Sequence, residues 1–143
     1  MPIIYLCPTG TYASLVAANL HLGQINREAK INEILNLPNF GAFPGKVGMF
    51  LYIGKDRKGN LIYTLGTSNE AQLIIKSTYD LLRFTGYPEN NLKLIDVSKY
   101  VPKHLVWCNG IFLKYGNKFI AEKLHKKLAY IDEEVKEIRK QGH

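Results

Sequence analysis

The sequence predicts a single α/β domain over residues 1–143, three-layered, with a mostly parallel central sheet and one β-hairpin. Three observations predict this class. Strand-like apolar runs alternate with amphipathic helical segments, which is the pattern of β–α–β units. Residues 3–7 are almost continuously apolar, as is typical of a strand covered on both faces. The chain length suits one domain with its own core.

The N-terminal stretch has the most informative local pattern. Residues 3–7 form the predicted inner strand, a short loop follows, and Ser14 opens a helix that ends before Gly23. A helix N-terminus after a tight loop leaves backbone N–H groups unpaired, and the helix dipole favours an anion beside them. Gly10 supplies the backbone freedom that a loop around a phosphate needs. The pattern therefore predicts a phosphate-binding loop.

Two alternatives stay open for this loop: a cysteine-phosphatase loop, which the sequence matches in part, and an ordinary strand–helix connection. Cysteine phosphatases use a Cys, five residues and an Arg, but Ala13 stands where the Arg would follow Cys7. A nucleotide-binding loop of the Gly-x4-Gly-Lys-Ser/Thr type is absent too, because no Lys follows Gly10. The plainer alternative is an ordinary strand–helix connection with Cys7 buried at the strand end.

The middle of the chain predicts a second helix and the hairpin. The helix is expected over residues 26–37, with Asn26 as N-cap and Pro38 after its end, followed by an irregular stretch over 39–46. Strand-like residues 47–53 and 61–65 flank the polar turn 54–60, which is typical of a hairpin.

The second half predicts a helix over residues 70–84, capped by Ser68 or Asn69, and a strand over 92–97. Another helix is expected over 102–115. The last segment, about 119–140, is expected to be one long helix, because apolar residues recur at three- and four-residue spacing. Its apolar stripe would cover the sheet or seal a dimer.

Small polar residues follow three of the predicted strands. If those strands are parallel, their carboxyl ends meet at one edge of the sheet, where open α/β sheets bind ligands. No catalytic residue, metal ligand or cofactor is predicted. The predicted ligand-binding residues are Thr9, Gly10, Thr11, Tyr12, Ser14, Gly66, Thr67, Ser68, Asn69, Asp96 and Ser98.

Composition and net charge indicate which kinds of partner and which compartment to expect. A net charge of +7 favours an anionic partner, but no basic and aromatic motif indicates nucleic acid. The sequence has no run of about 18 apolar residues, so we expect no membrane-spanning helix. With only two cysteines and no Cys-x-x-Cys pair, we expect a reducing compartment, the cytoplasm, and no zinc site.

Several short motifs resemble a known family. They are Tyr5-x-Cys7-x-x-Gly10-Thr11-Tyr12-x-Ser14, Ala17-Ala18-x-x-His21-Leu22-Gly23, Tyr63-x-Leu65-Gly66, and Gly110-x-Phe112-Leu113 with Gly116. Together they resemble a family of short, uncharacterised bacterial proteins, mainly from spore-forming Gram-positive species, described only as a domain of unknown function. The resemblance implies an α/β fold and no established activity. Where the family pattern has His and Ser in the first loop, this chain has Tyr12 and Ala13.

Three functions follow as hypotheses. The first is a protein that binds a small phosphorylated ligand, a nucleotide or signalling nucleotide, with little or no turnover, as a sensor or, in a phage, as a sponge for a host defence nucleotide. The second is a phosphatase or phosphodiesterase that uses Cys7 as nucleophile or Asp96 as acid or base. The third is a protein–protein interaction module. A homodimer or higher homo-oligomer is compatible with each.

Overall fold

The structure, a computed structural model, describes residues 1–42, 47–101 and 113–141. Short 3₁₀ turns lie at Glu89–Asn91 and Ser98–Tyr100. The helix expected over residues 102–115 lies outside the described residues, except for its last three. The helices and strands follow in the order β1 (Pro2–Cys7), α1 (Ala13–Leu22), α2 (Ile31–Leu35), β2 (Phe50–Lys55), β3 (Leu61–Gly66), α3 (Ala71–Thr85), β4 (Lys93–Asp96), α4 (Leu113–Lys126) and α5 (Leu128–Gln141).

The described strands form one four-stranded mixed sheet with the order β2-β3-β1-β4. β1 lies inside the sheet and pairs in parallel with β3 and with β4, while β2 runs antiparallel to β3. The α/β class and the inner position of β1 are therefore as the sequence predicts. Because β1, β3 and β4 point the same way, their carboxyl ends share one edge of the sheet.

The larger core lies on the α1 side of the sheet. Strand side chains alternate between the two faces, so Ile3, Tyr5 and Cys7 of β1 point toward α1 and are fully buried. α5 packs against α1, and α4 packs against α2. Every residue of the predicted apolar stripe over 119–140 is buried here: Ile120, Leu124, Leu128, Ile131, Val135 and Ile138.

A smaller cluster lies on the α3 side of the sheet. Its buried members are Ile4 and Leu6 of β1, Leu65 of β3 and Ala71 at the start of α3. Only Ala71 of α3 is buried, so this helix covers its face of the sheet much less completely than α1 and α5 cover the other.

The bounds of two predicted helices need correction. The second helix is not 26–37 but only Ile31–Leu35, because Asn26 forms a local turn: its Oδ1 accepts from Glu28 N–H at 2.9 Å. The N-cap of this helix is Lys30, four residues after the expected Asn26; Lys30 is extended, and its N–H donates to Glu33 at 2.7 Å.

The expected long helix over 119–140 is two helices, α4 and α5, separated at Lys127. Lys127 N–H donates to Leu124, which closes α4, and Ile131 N–H donates to Lys127, which opens α5. Neither Gly nor Pro marks this point. Among the described helices, none combines the length and the apolar character needed to cross a membrane.

Candidate functional site at the carboxyl edge of the sheet

Backbone hydrogen bonds join the three strand ends at the carboxyl edge. Thr67 N–H, just after β3, donates to the Cys7 carbonyl at the end of β1 at 3.0 Å. On the other side of β1, Val97 N–H after β4 donates to the Leu6 carbonyl at 2.9 Å. The parallel pairing on which the sequence argument depended is thus present. The loops after β1 and β3 touch each other, and the turn after β4 lies beside them.

Gly10 and Gly66 make the tightest contact between the first two loops. Gly10 has φ +75°, and a Cβ built on it would lie 2.6 Å from Gly66 N. A Cβ on Gly66 would lie 2.8 Å from the Thr9 carbonyl oxygen. Both positions therefore require glycine for backbone packing, and Gly10 is buried. Gly10 has the positive φ that only glycine adopts easily, as expected, but its loop packs against Gly66 and does not enclose an open space.

Cys7 organises the start of the loop through its sulfur. Gly10 N–H donates to Sγ at 3.2 Å, and Ser14 Oγ lies 2.9 Å from the same sulfur. Cys7 and Ser14 are both fully buried. This places the thiol inside the loop, where it ties the strand end to the first turn of α1.

The N-terminus of α1 follows directly. Its first helical hydrogen bond runs from Val16 N–H to the Tyr12 carbonyl, so the N–H groups of residues 13–15 lie ahead of it. Within the described part of the chain, no side chain caps them. A helix end without caps keeps its partial positive charge, although residues 13–15 themselves are almost fully buried.

Several predicted site residues turn their side chains inward. Thr11, Tyr12, Ser14 and Thr67 are all buried. Tyr12 OH donates to Asn117 Oδ1 of α4 at 2.7 Å, across 105 residues of sequence. These residues hold the loop in place, and their hydroxyl groups are turned away from solvent.

Other predicted residues remain accessible at the same edge. Thr9, Ser68, Asp96 and Ser98 are partly exposed, and Asn69 is exposed. Ser68 also has φ +52°, an uncommon conformation for a residue with a side chain. Its N–H donates to the Pro8 carbonyl at 3.0 Å, which holds it in that conformation. Backbone strain of this kind is often found where a loop meets a ligand.

Asp96 brings a negative charge to this edge. Burial alone raises its pKa, but hydrogen bonds from Ser98 and Gln72 and the charge of Lys99 outweigh that effect, so the pKa lies below its usual value. One oxygen accepts from Ser98 N–H at 2.9 Å and the other from Gln72 at 2.8 Å. An ionised carboxylate repels phosphate and accepts hydrogen bonds from hydroxyl groups.

Sequence reasoning missed a buried polar network under α1. Tyr5 OH lies 2.7 Å from His21 Nδ1, and His21 Nε2 lies 3.0 Å from Asp56 in the turn between β2 and β3. Because an ionised carboxylate only accepts, Nε2–H donates to Asp56 and Nδ1 accepts from Tyr5. His21 lies seven residues after Ser14, two helical turns on, so the sequence predicts only that it lies away from the loop. No local signal pairs it with Asp56, 35 residues further on.

A groove of about 580 Å³ runs along α1 beside the edge strand β2. Asn19, Gln24 and Asn36 contribute amides to its lining, and among the described lining residues the charged one is Glu33. It is not positively charged and is a poor phosphate site. In the described residues, no group of three or more His, Cys, Asp or Glu side chains is placed to hold a metal ion.

A family model described as a protein of unknown function, DUF3189, covers residues 2–140. The chain belongs to this family. The resemblance read from the sequence motifs is thereby confirmed, as a domain of unknown function. No curated protein and no solved structure matches this DUF3189 chain significantly.

Proposed function

We propose that this DUF3189 protein binds a small phosphorylated ligand, a nucleotide or signalling nucleotide, at the carboxyl edge of its sheet. The observation that carries the proposal is the uncapped N-terminus of α1 beside the Gly10–Gly66 contact. Backbone N–H groups at a helix start bind phosphate oxygens well, because they neither need desolvation of a charge nor move on binding. A net charge of +7 adds attraction over longer distances.

The neighbouring loops favour a nucleotide over a bare phosphate. On the β3 side, Ser68 and Asn69 present polar side chains to solvent, and on the β4 side lies the ionised Asp96. A carboxylate close to an anion site suits a ribose hydroxyl, as in dinucleotide-binding folds. In this proposal the α1 N-terminus holds the phosphate and Asp96 accepts a hydrogen bond from the sugar.

Burial of Cys7 favours binding over turnover. A thiol that attacks a phosphoester has to reach the phosphorus atom, and Cys7 is fully buried with its sulfur engaged by Gly10 and Ser14. The loop also carries Ala13 where cysteine phosphatases place an Arg. A sensor or a sequestering protein in the cytoplasm fits this chemistry better than a phosphatase.

The proposal includes the finer architecture. We take the domain to be three-layered, with α1 and α5 on one face of the sheet and α3 on the other, and with β2 and β3 as its one hairpin. The two separate apolar clusters support this arrangement.

A thermal-shift screen tests the proposed function. The ligands are nucleoside mono-, di- and triphosphates, cyclic dinucleotides, ADP-ribose and inorganic phosphate, each against the matching nucleoside without phosphate. A ligand at a hundred times its dissociation constant stabilises the fold by about 2.7 kcal/mol. Stabilisation by a phosphorylated compound and not by its nucleoside is the expected result. No stabilisation by any phosphorylated compound would overturn the proposal.

A further inference from the structure

α3 carries a stripe of apolar side chains that the other described residues of the chain do not cover. Leu73, Leu81 and Phe84 are 60%, 61% and 90% exposed. With the small Ser77 between them, they recur at three- and four-residue spacing along one side of the helix. A 90% exposed Phe beside two exposed leucines is more apolar surface than a single scattered side chain.

The stripe lies away from the contacts that α3 makes within the chain. Gln72 donates to Asp96 at 2.8 Å, and Tyr79 OH accepts from Leu94 N–H at 3.2 Å, so this flank of α3 faces β4. At roughly 100° per residue, Leu81 lies nearly opposite Tyr79 around the helix. The stripe therefore faces solvent on the side that points away from β4.

We propose that a second copy of this chain covers the stripe, so that the protein is a homodimer with its two α3 helices packed antiparallel. The two-fold axis passes near residues 77 and 78, where Ser77 lets the helices approach closely. This register places Leu73 beside Phe84 of the partner subunit. The interface is isologous, each copy contributing the same surface.

Charge complementarity selects a second copy as the partner. Lys76 and Asp80 flank the stripe one turn apart, and their exposed side chains of opposite sign form an ion pair of 3.5 Å within the helix, which Arg83 joins at 3.2 Å from Asp80. Antiparallel pairing about residue 78 sets Lys76 opposite Asp80 of the partner subunit, and Asp80 opposite Lys76 of the partner subunit. A surface that carries both signs in this order complements itself.

The local charge also permits self-association. The chain has a net charge of +7, which opposes dimerisation at most surfaces. Residues 70–89 carry three acidic side chains (Glu70, Asp80, Glu89) and two basic ones (Lys76, Arg83), so this part of the surface is slightly negative. The C-terminal stripe offers no such interface, because its residues are buried in the core.

Sedimentation velocity on the full chain tests the dimer. The wild type is expected at twice the chain mass, and Phe84→Glu at the chain mass with an unchanged circular dichroism spectrum. Tyr130→Glu is the matched control, because Tyr130 is a 66% exposed aromatic on α5 and its variant should stay dimeric. A monomeric wild type, or a Phe84→Glu variant that stays dimeric, would overturn the proposal.

A charge exchange tests the antiparallel register. Lys76→Asp alone and Asp80→Lys alone should each raise the dimer dissociation constant about tenfold, because each brings like charges together. The double variant K76D/D80K should restore the wild-type value. A double variant as weak as either single variant would contradict the pairing of these residues across a two-fold axis.

Discussion

Gly10 and Gly66 lie in backbone contact where the loops after β1 and β3 meet. A Cβ at Gly10 would approach Gly66 N to 2.6 Å, closer than such atoms come in folded proteins. The contact fixes the path of the first loop, and with it the direction in which the α1 N-terminus points. Close approach of two glycine backbones thus positions the proposed phosphate site.

Replacing Gly10 by alanine measures how much this contact contributes to the free energy of unfolding. Gly10→Ala should lower the free energy of unfolding more than Gly23→Ala, which is the matched control. Both glycines have a similar positive φ, +75° and +73°, but no atom of the described residues lies within 4 Å of a Cβ at Gly23. The control should cost about 1–2 kcal/mol from φ alone, and Gly10→Ala about 1–3 kcal/mol more from the clash. Urea unfolding gives both values, and equal costs would mean that the two loops are not tightly packed.

Ser68 offers a test of strain in the site. Its φ of +52° should cost free energy that a glycine would not pay. Ser68→Gly should therefore unfold at an equal or higher urea concentration, yet bind the ligand found in the thermal-shift screen more weakly. Asn39→Gly is the control for φ, since Asn39 also has a positive φ, +68°, and lies between α2 and β2, outside the three loops at the carboxyl edge. Weaker folding together with unchanged affinity in Ser68→Gly would contradict a role for Ser68 in the site.

Stability should fall as the pH drops, through His21 and Asp56. Burial, chiefly, lowers the pKa of His21 below 6.5, against the opposing hydrogen bond and charge of Asp56. The unfolded chain then binds a proton that the folded chain excludes, so stability present above about pH 6.5 is lost as the pH falls below it. Asp56 adds a second loss from about pH 4 downward. Burial raises its pKa, but hydrogen bonds from Asn60, His21 and Lys58 lower it to about 2.

Urea unfolding at a series of pH values tests this dependence. His21→Gln should flatten the curve between about pH 7 and pH 5, because the titrating group is gone. A wild-type stability that is constant over this range, or an equal slope for the wild type and His21→Gln, would contradict the buried network.

Cys7→Ser should change ligand affinity by no more than a few-fold. A serine hydroxyl can keep the contacts with Gly10 N–H and Ser14, and the thiol has no exposed surface. Calorimetric titration of wild type and variant with the same nucleotide gives the comparison. If the wild type hydrolyses a phosphoester and Cys7→Ser does not, the protein is an enzyme with Cys7 as its nucleophile.

The regular elements near the site could largely be predicted from sequence. The inner position of β1 follows from its apolar run, and Gly23 ends α1 in a left-handed conformation, as expected of a C-terminal glycine. The break at Lys127 could not be predicted, because the apolar spacing continues across it. The expected caps Ser68 and Asn69 were wrong as well: Glu70 is the N-cap of α3, without a side-chain hydrogen bond.

The directions in which side chains of the site point could not be predicted from the sequence. Tyr12 points inward because it meets Asn117, 105 residues later, and such a pair has no local signal. Ser14 turns to the sulfur of Cys7 for a similar reason: the loop conformation, and not residue spacing, brings them together. The sequence could indicate which loops converge, but not which of their atoms remain accessible.

An amide chemical-shift titration by nuclear magnetic resonance locates the ligand without any substitution. The ¹⁵N-labelled wild-type protein is titrated with inorganic phosphate and with the nucleotide that stabilises it most in the thermal-shift screen. Binding at the α1 N-terminus predicts that both shift the amides of residues 9–15, and that the nucleotide alone also shifts residues 67–69 and 96–98. Amides of the first loop that stay unchanged at saturation, with shifts confined to the α1 groove or to α3, would contradict a phosphate site at this edge.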